Sequence, residues 1–284
     1  MGRRVNYRKK FAVEPGSKVR LDDIDPAYTG KHESEDDAKA AVAKDCDRLA
    51  DLQYRLYAEN RRSLLVVLQA LDAGGKDGTV RHVFSALNPQ GATAHSFKVP
   101  TAEEAAHDFL WRAHKVAPAR GQIAIFNRSY YEDVLVTRVH GLIPADEIPK
   151  RYDRILEFEK LLAQAGTHVI KFYLHISAGE QLRRFKQRLD DPRRQWKISE
   201  SDYTDRVHWD GYRKAFEDTL SHTSTHRAPW YVIPANHKWF RNLAVARIVT
   251  DTLEDMDPKF PPPTVDIAQI RAKFEAAQTA VTGP

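Results

Sequence analysis

The stretch SLLVVLQALDAGGKDGTVRHVFSALN, residues 63–88, decides the fold class. Its first ten residues form a nearly continuous apolar run, which is typical of a strand buried on both faces within a parallel sheet. A loop of small residues comes next, and TVRHVFSALN then predicts a helix. Strand, glycine-rich loop and helix in this order indicate a phosphate-binding loop, because closely approaching backbone amides and a helix N-terminus attract anions.

This loop departs at two positions from the usual pattern G-x-x-x-x-G-K-[ST]. With Gly75 and Lys76 aligned, Ala70 takes the place of the first glycine and Asp77 that of the hydroxyl that binds Mg²⁺. A carboxylate there would face incoming phosphates with like charge. Asp72 is the better metal candidate, because it stands at the carboxyl end of the strand, where ligands of open α/β sheets gather. Lys76 is predicted to contact phosphoryl groups; the alternative is a structural turn with an exposed lysine.

Strands and helices alternate along most of the chain. Further strands are predicted in AHSFKV, GQIAIFN, HVIKFYLHI and APWYVIPA, with helices between them. This alternation indicates right-handed crossovers and a parallel sheet covered on both faces, and therefore the α/β class. The stretches TAEEAAHDFLWRAHKV and YTDRVHWDGYRKAFEDTL are each predicted as one helix, the first with a capping box of Thr101 and Glu104.

Length and composition favour one globular domain over residues 1–284, because 42% apolar and 29% charged residues fit a sizeable core. An extended N-terminal arm is expected at 1–33 and a loosely packed C-terminal extension at 258–284. The net charge of +5 points weakly to an anionic partner, and the single Cys46 excludes an intramolecular disulfide. The sequence contains no secretory signal, no myristoylation motif and no apolar run of membrane length, so we expect a cytoplasmic protein.

A second predicted strand, IAIFN, also ends on polar residues. Arg128, at the carboxyl end of this strand, can stabilise charge on a transferring phosphoryl group. Glu132 and Asp133 follow in the first turn of the next helix. Adjacent helical positions point apart, so at most one of these acids is expected to face the phosphate site. Their favourable interaction with the helix dipole is an equally good explanation of both.

The stretch LRRFKQRLDDPRRQWK, residues 182–197, holds seven Lys or Arg against two acids. Arg184 and Arg188 form a like-charge i,i+4 pair, which costs stability unless an anion lies beside it. Pro192 separates two basic clusters, and this predicts a helical hairpin or lid at residues 178–205 that folds over a polyanion and clamps phosphates. The alternative is an ordinary solvated basic face.

The stretches HSFKVPT and HDFLWRAH carry candidates for a nucleotide site. Phe97 is a candidate for stacking against a base, and Lys98 and Arg112 for holding a phosphate. Asp108 lies four residues before Arg112, on the same face of the predicted helix. An amphipathic helix with a purely structural role is the alternative. The twelve histidines show no H-E-x-x-H pattern, and no cysteine cluster occurs, so no zinc site is expected.

Four stretches together resemble the polyphosphate kinase 2 family. They are LQALDAGGKDGTVRHVFSALNPQGATAHSFKVPT, HDFLWRAHKVAPARGQIAIFNRSYYEDVLVTRVHG, RRFKQRLDDPRRQWKISESD and TSTHRAPWYVIPANHKWFRNL, and they occur in the order of the family. Asn127 before Arg128, with YYEDVLVTRVH after it, is similar to the third class of the family rather than to members with aspartate at that position. That class is associated with phosphorylating nucleoside mono- and diphosphates from inorganic polyphosphate.

The resemblance implies a thymidylate-kinase-like P-loop fold, in other words a three-layer P-loop kinase-like fold with a helical lid. Asp72 and Lys76 match the metal-organising acid and the phosphate-binding lysine. Asn127 and Arg128 occupy the Walker-B-like position. The residues assigned to polyphosphate are Gly74, Gly75, Lys76, Gly78, Thr79, Arg183, Arg184, Arg188 and Lys197. Those assigned to the nucleotide are Phe97, Lys98, Asp108, Arg112 and Asn127. Because Asn127 replaces a carboxylate of other members, Glu132 or Asp133 is the candidate to complete the metal site.

The expected activity is therefore a reversible, Mg²⁺-dependent transfer of phosphoryl groups from inorganic polyphosphate to AMP and ADP, with Mn²⁺ as a second candidate metal. A homo-oligomer is expected, with no nucleic-acid or membrane partner. Two alternatives stay open. One is an ATP-dependent nucleotide kinase of similar fold, which the altered loop argues against. The other is a non-catalytic binder of polyanions or nucleic acid, which the acids at the strand ends argue against.

Overall fold

The computed structural model describes residues 5–32 and 34–282. The strands are β1 (Ser63–Gln69), β2 (Ala92–Ser96), β3 (Ile123–Asn127), β4 (Thr167–His175) and β5 (Trp230–Pro234). They form one parallel sheet in the order β2-β3-β1-β4-β5, with β1 at its centre. All seven residues of β1 are buried, as the apolar run predicts. The expected α/β class is confirmed.

Helices cover both faces of this sheet. Within the described ranges they are α1 (Tyr7–Phe11), α2 (Glu35–Glu59), α3 (Lys76–Val83), α4 (Ala102–Ala105), α5 (Trp111–Lys115), α6 (Glu132–Val139), α7 (Glu147–Gln164), α8 (Ala178–Asp190), α9 (Glu200–Arg206), α10 (Trp209–Thr223), α11 (Lys238–Met256) and α12 (Ile267–Thr282). Two short 3₁₀ turns lie at Leu21–Asp23 and Gln195–Lys197. No described helix is long and apolar enough to cross a membrane.

Alternate residues of β1 enter two different cores. Leu64, Val66 and Leu68 pack into a cluster with α2 and α11. Leu65 and Val67 pack into a second cluster with α6, α7 and α10. Because successive strand side chains point to opposite faces, a strand buried on both sides must be apolar throughout. The result is a three-layer arrangement. The glycine-rich loop follows the carboxyl end of β1 and therefore lies at one edge of the sheet.

Both helices predicted as continuous are divided in two. The first is replaced by α4 and α5, and the capping box of Thr101 and Glu104 begins α4 as predicted. Between them the Asp108 carboxylate accepts a hydrogen bond of 3.0 Å from the Leu110 amide, and such a local bond competes with the helical ladder. The prediction that Asp108 and Arg112 share a helix face is therefore wrong. The second is divided into α9 and α10.

The N-terminal segment is packed on the domain, and its extended description needs correction. Tyr7 and Phe11 lie in α1 and pack in edge and tilted contacts around Phe240 of α11. Farther along, the Val13 amide donates to the Trp230 carbonyl at 2.9 Å. By contrast, α12 is exposed along its described length. Residues 1–4, 33 and 283–284 of the arm and extension lie outside the described residues.

Truncating Phe11 should destabilise the protein, whereas truncating Leu142 should not. Phe11 is buried against three aromatic rings, and Leu142 is exposed between α6 and α7. We expect Phe11→Ala to lower the free energy of unfolding by about 3 kcal/mol, because it leaves a cavity in the core. Leu142→Ala should change it by less than about 0.5 kcal/mol. Urea unfolding measures both, and equal losses would contradict the packing described.

Candidate active site

The loop between β1 and α3 depends on glycine for close packing. A Cβ atom on Gly74 would lie 2.4 Å from Ala70 Cβ, and Gly75 has a φ of +106°, a conformation that glycine adopts without strain. A Cβ on Gly75 would also lie 1.9 Å from an Arg241 guanidinium nitrogen. Gly78 faces the same guanidinium, and the Thr79 hydroxyl donates to the Gly75 carbonyl at 3.1 Å. The loop thus presents backbone and the N-terminus of α3 to a cation-lined space.

Lys76 is buried beneath this loop. Its side chain is 8% exposed, and its ammonium group donates to the Ala70 carbonyl at 2.8 Å. Burial, together with the neighbouring Arg128, lowers the pKa of Lys76 to about 8. A lysine in this state carries its proton more readily when an anion approaches, so its environment suits a phosphate ligand.

Arg128 lies between two carboxylates at the carboxyl end of β3. Its guanidinium is 2.7 Å from Asp72 Oδ1 and 3.3 Å from Glu132 Oε2. Burial lowers the pKa of Arg128, but the two carboxylates outweigh this effect and raise it overall. The Gln69 amide also donates to Glu132, at 3.1 Å. Asp72 and Glu132 therefore share one charged cluster with Arg128.

Asp77 is occupied by contacts within the chain. The Asn127 amide donates to Asp77 Oδ1 at 2.8 Å, and the Lys197 ammonium lies 3.6 Å from Oδ2. Burial raises the pKa of Asp77, but the Asn127 hydrogen bond and Lys197 outweigh it and lower the pKa overall. The acid in the place of the usual hydroxyl thus ties β3 and the basic stretch to the loop.

Acids on either side of the basic stretch, residues 182–197, pair with its arginines. Arg183 and Arg184 both pair with Glu180, at 2.6 Å, and Arg188 pairs with Asp202 at 2.9 Å. The repulsion predicted between Arg184 and Arg188 is therefore offset by acids within the chain, and no external anion is needed to explain it. The structure brings only some of these cations to the loop.

Arg184 and Lys197 are the predicted polyphosphate ligands of this stretch that reach the loop. The Arg184 guanidinium donates to the Ala73 carbonyl at 2.8 Å and lies 3.6 Å from the position of a Cβ on Gly75. Lys197 reaches Asp77, as described above. Arg183 and Arg188 show no contact with the loop among the described residues.

The predicted nucleotide residues do not all lie on a free surface. Phe97 is 3% exposed, with His95 and Phe126 each 4.8 Å from it between ring centroids. Its predicted role in stacking a base is corrected accordingly, because packing neighbours cover the ring. Arg112 is buried beside it and donates to the Lys98 carbonyl at 2.8 Å, while the Lys98 side chain is exposed.

Asp133 faces away from the Arg128 cluster. It lies 3.6 Å from Arg112 and 3.4 Å from Arg151, and burial raises its pKa despite these cations. With Asp108, Arg112 and Phe109 it lines a cavity of about 790 Å³. Among the described residues, Asp133 Oδ2 and Arg151 Nε are buried without a hydrogen-bond partner. The cavity thus combines apolar side chains with the charged side chains of Asp108, Arg112 and Asp133.

Arg241 is a site residue that the sequence interpretation missed. It is 2% exposed in α11, and its guanidinium lies against Gly75 and Gly78. It donates to the Asn242 side chain at 2.7 Å, and no ion pair to it is found in the described part of the chain. Burial and the neighbouring Arg184 lower the pKa of Arg241 to about 9. Since a guanidinium keeps its proton in proteins, the shift reports a buried charge that lacks a counter-ion.

A signal for Arg241 was present in the sequence. It stands in the first turn of the helix that follows β5, as Lys76 and Arg128 follow β1 and β3. Parallel strands end at the same edge of a sheet, so polar residues after every strand deserve the same weight. Site residues were predicted after β1 and β3, but not after β5.

Fold and site together define the class of protein. A parallel sheet whose central strand leads through a glycine-rich loop into a helix, with cations gathered at that loop, is the arrangement of a P-loop kinase-like phosphotransferase. The sequence matches the family described as Polyphosphate kinase 2 over residues 32–261. The chain belongs to this family.

Known relatives cover nearly the whole chain. An AMP/ADP-polyphosphate phosphotransferase from Meiothermus ruber is 49% identical over 256 residues, which are 90% of this chain and 96% of that protein. An ADP-polyphosphate phosphotransferase from Rhodopseudomonas palustris is 42% identical over 90% of this chain and 93% of its own. The crystal structure of Polyphosphate Kinase 2 from Arthrobacter aurescens TC1 superposes with a TM-score of 0.92, at 42% identity, covering 96% of this chain and 97% of that one.

Replacing Arg241 should stabilise the free protein and weaken its binding of anions. We expect Arg241→Met to raise the free energy of unfolding by about 1 kcal/mol, because it removes a buried charge without a counter-charge. The affinity for pyrophosphate should fall about tenfold, since a hydrogen bond to a charged group contributes about 1.5 kcal/mol or more. Urea unfolding and calorimetric titration measure the two effects.

Arg247→Met is the matched control on the same helix. Arg247 pairs with the buried Asp45 at 2.6 Å, so its loss leaves that carboxylate without its guanidinium partner. We expect this change to lower the free energy of unfolding by about 3 kcal/mol. Pyrophosphate affinity should stay within about twofold of wild type, measured where the variant is folded. A loss of stability in both variants would contradict the lack of a counter-charge at Arg241.

Anion binding should weaken as the pH rises through the pKa of Lys76. This pKa of about 8 means that free Lys76 loses its charge above pH 8, and a bound phosphate must then restore the proton. The affinity of wild type for tripolyphosphate, relative to that of Lys76→Arg, should fall by up to about tenfold per pH unit above this point. The ratio cancels the titration of the ligand itself. A ratio that does not change between pH 7 and pH 9.5 would refute the assignment.

Proposed function

We propose that this protein transfers phosphoryl groups from inorganic polyphosphate to AMP and ADP, reversibly and with Mg²⁺. The observation that carries the proposal is the buried Arg241, which faces the glycine-rich loop and has no counter-ion among the residues that the structure describes. A polyanionic donor supplies the missing charge. The names of the relatives, which describe polyphosphate phosphotransferases acting on AMP and ADP, support the same donor and acceptors.

The reaction breaks the terminal P–O–P bond of the polyphosphate chain. A phosphate oxygen of the acceptor nucleotide forms the new P–O bond, and the donor leaves one unit shorter. That oxygen is already ionised at neutral pH, so no side chain has to remove a proton from it. The demand on the protein is positioning and charge neutralisation, which Lys76, Arg128 and Arg241 provide.

The residues present fit a divalent cation bound mainly through phosphates. Mg²⁺ is commonly held by one or two carboxylates, with substrate phosphates and waters completing its shell. Asp72 and Glu132 are the two carboxylates beside Arg128, and we assign them to the metal. The bound cation would neutralise negative charge on the phosphates. Asp133 is not assigned, because it pairs with Arg112 and Arg151 on the other side.

Separate observations support the acceptor site, the lid and the assembly. The cavity lined by Asp108, Arg112 and Asp133 supports a place for the nucleotide. Residues 178–205 act as the lid, since Lys197 already reaches the loop from this segment. Exposed apolar residues at Ile267, Ile270 and Phe274 follow one face of α12, which supports a homo-oligomer.

A direct assay tests the donor. The protein is incubated with Mg²⁺, polyphosphate and AMP, ADP, GMP or GDP, with no other triphosphate present. We expect ADP and ATP to form from AMP and polyphosphate. Turnover with ATP as donor but none with polyphosphate would favour the ATP-dependent kinase. Polyphosphate binding with no turnover on either donor would favour the non-catalytic binder.

Asp72→Asn should abolish most of the Mg²⁺-dependent activity. The change removes a charge that both neutralises Arg128 and is assigned to the metal, so we expect turnover to fall by about 100-fold or more. Asp146→Asn is the matched control, because Asp146 is an exposed acid at the start of α7. It should keep turnover within about twofold of wild type. Full Mg²⁺-dependent activity in Asp72→Asn would remove Asp72 from the proposed site.

A further inference from the structure

A buried ion pair lies beneath the sheet edge that carries Arg128. Lys171 of β4 and Glu159 of α7 are almost completely buried, and their charged atoms are 2.7 Å apart. An isolated buried pair is weak evidence for stability, because desolvation offsets most of the attraction. The residues that bond to this pair therefore indicate what the pair contributes to the structure.

The hydrogen bonds of this pair lead to the two tyrosines that follow Arg128 in the sequence. Tyr130 and Tyr131 both donate to Glu159 Oε1, at 2.9 and 2.8 Å. The Lys171 ammonium donates to the Tyr131 hydroxyl at 2.9 Å, and to Glu159 and the Thr223 carbonyl at 2.7 Å. All three donors of Lys171 are thus satisfied. The network is complete, and it is built around this pair of phenols.

Both phenols remain hydrogen-bond donors. Burial, reinforced by the nearby Glu159, raises the pKa of Tyr130 and of Tyr131 well above the ordinary range. Each hydroxyl therefore keeps its proton at neutral pH and can donate to Glu159. We call the two bonds from Tyr130 and Tyr131 to Glu159 the tyrosine clamp.

Arg128 needs such support because its backbone is left-handed. Its φ is +61°, which is unfavourable for a residue with a side chain and persists only where the surroundings enforce it. On the β1 side, the Arg128 amide donates to the Leu68 carbonyl at 3.0 Å. After Arg128, Ser129 is fully buried and its hydroxyl accepts from the Tyr131 amide at 3.2 Å. The tyrosine clamp fixes the chain on this second side.

We propose that Lys171, Glu159, Tyr130 and Tyr131 form a positioning unit that holds Arg128 in its left-handed conformation, with the guanidinium between Asp72 and Glu132. None of the four touches the reacting phosphates in the proposed function, on which this inference rests. They act through the direction in which Arg128 points. A small rotation of that turn moves the guanidinium away from the transferring group.

Removing the Tyr131 hydroxyl tests the unit with little loss of volume. We expect Tyr131→Phe to lower kcat about tenfold and to leave KM for donor and acceptor within about twofold, because misdirection of Arg128 affects the transition state more than binding. Tyr130→Phe should give a smaller loss, since Tyr131 still anchors Glu159. Tyr152→Phe is the matched control, a buried tyrosine whose hydroxyl bonds to Thr219, at 3.3 Å, and to Arg138, and which lies outside the unit. It should leave kcat unchanged.

A double-mutant cycle with Arg128→Lys separates positioning from general destabilisation. In the Arg128→Lys background, Tyr131→Phe should lower kcat by less than about twofold, because the group it positions has been replaced. Circular dichroism and urea unfolding establish that each variant is folded at the assay temperature. An equal loss of kcat in both backgrounds, or no loss in wild type, would overturn the inference.

The cycle is run with whichever donor, polyphosphate or ATP, supports turnover in wild type. Failure of polyphosphate as a donor would count against the proposed function alone, and the coupling to Arg128 would still be measured.

Discussion

The site depends on positive charge gathered at one edge of the sheet. Lys76, Arg128 and Arg241 follow three different parallel strands and meet there, because parallel strands end at a common edge. Each cation is held differently: Lys76 by a carbonyl, Arg128 by two carboxylates and Arg241 by an amide. Positive charge thus exceeds negative charge around the loop. A bound polyanion would remove this excess of positive charge. In the free protein, the packing of the rest of the core offsets its cost.

The basic stretch next to the loop meets a different requirement. Arg183 and Arg184 share the Glu180 carboxylate. Arg188 pairs with Asp202, so these arginines have acidic partners within the chain. The contact between Lys197 and Asp77 is exposed, and an exposed ion pair contributes little to stability. Exchanging Asp77 for a phosphate as the partner of Lys197 would therefore cost little. The segment can thus be ordered near the site before any donor arrives.

The sequence predicted the sheet and the loop well because both rest on local patterns. The apolar run of β1 and the glycines after it determine a buried strand and a close backbone approach. The stacking role predicted for Phe97 does not fit its buried ring. A local pattern does not distinguish a ring packed on Phe126 from a ring open to a base. The bond from Leu110 to Asp108 divided a helix whose periodicity is continuous. To predict Arg241 as a site residue, the end of β5 had to be placed beside a loop that lies far away in the sequence.

The two departures of the loop from the usual pattern are explained by contacts across the site. Ala70 supplies the carbonyl that receives the Lys76 ammonium, so this position serves through its backbone. Asp77 accepts a hydrogen bond from the Asn127 amide, and an aspartate at position 127 would instead place two carboxylates in contact. The contact therefore favours an amide over an acid at position 127 when position 77 is an acid. Asp72 and Glu132, the carboxylates proposed to hold the metal, take no part in it, because both pair with Arg128.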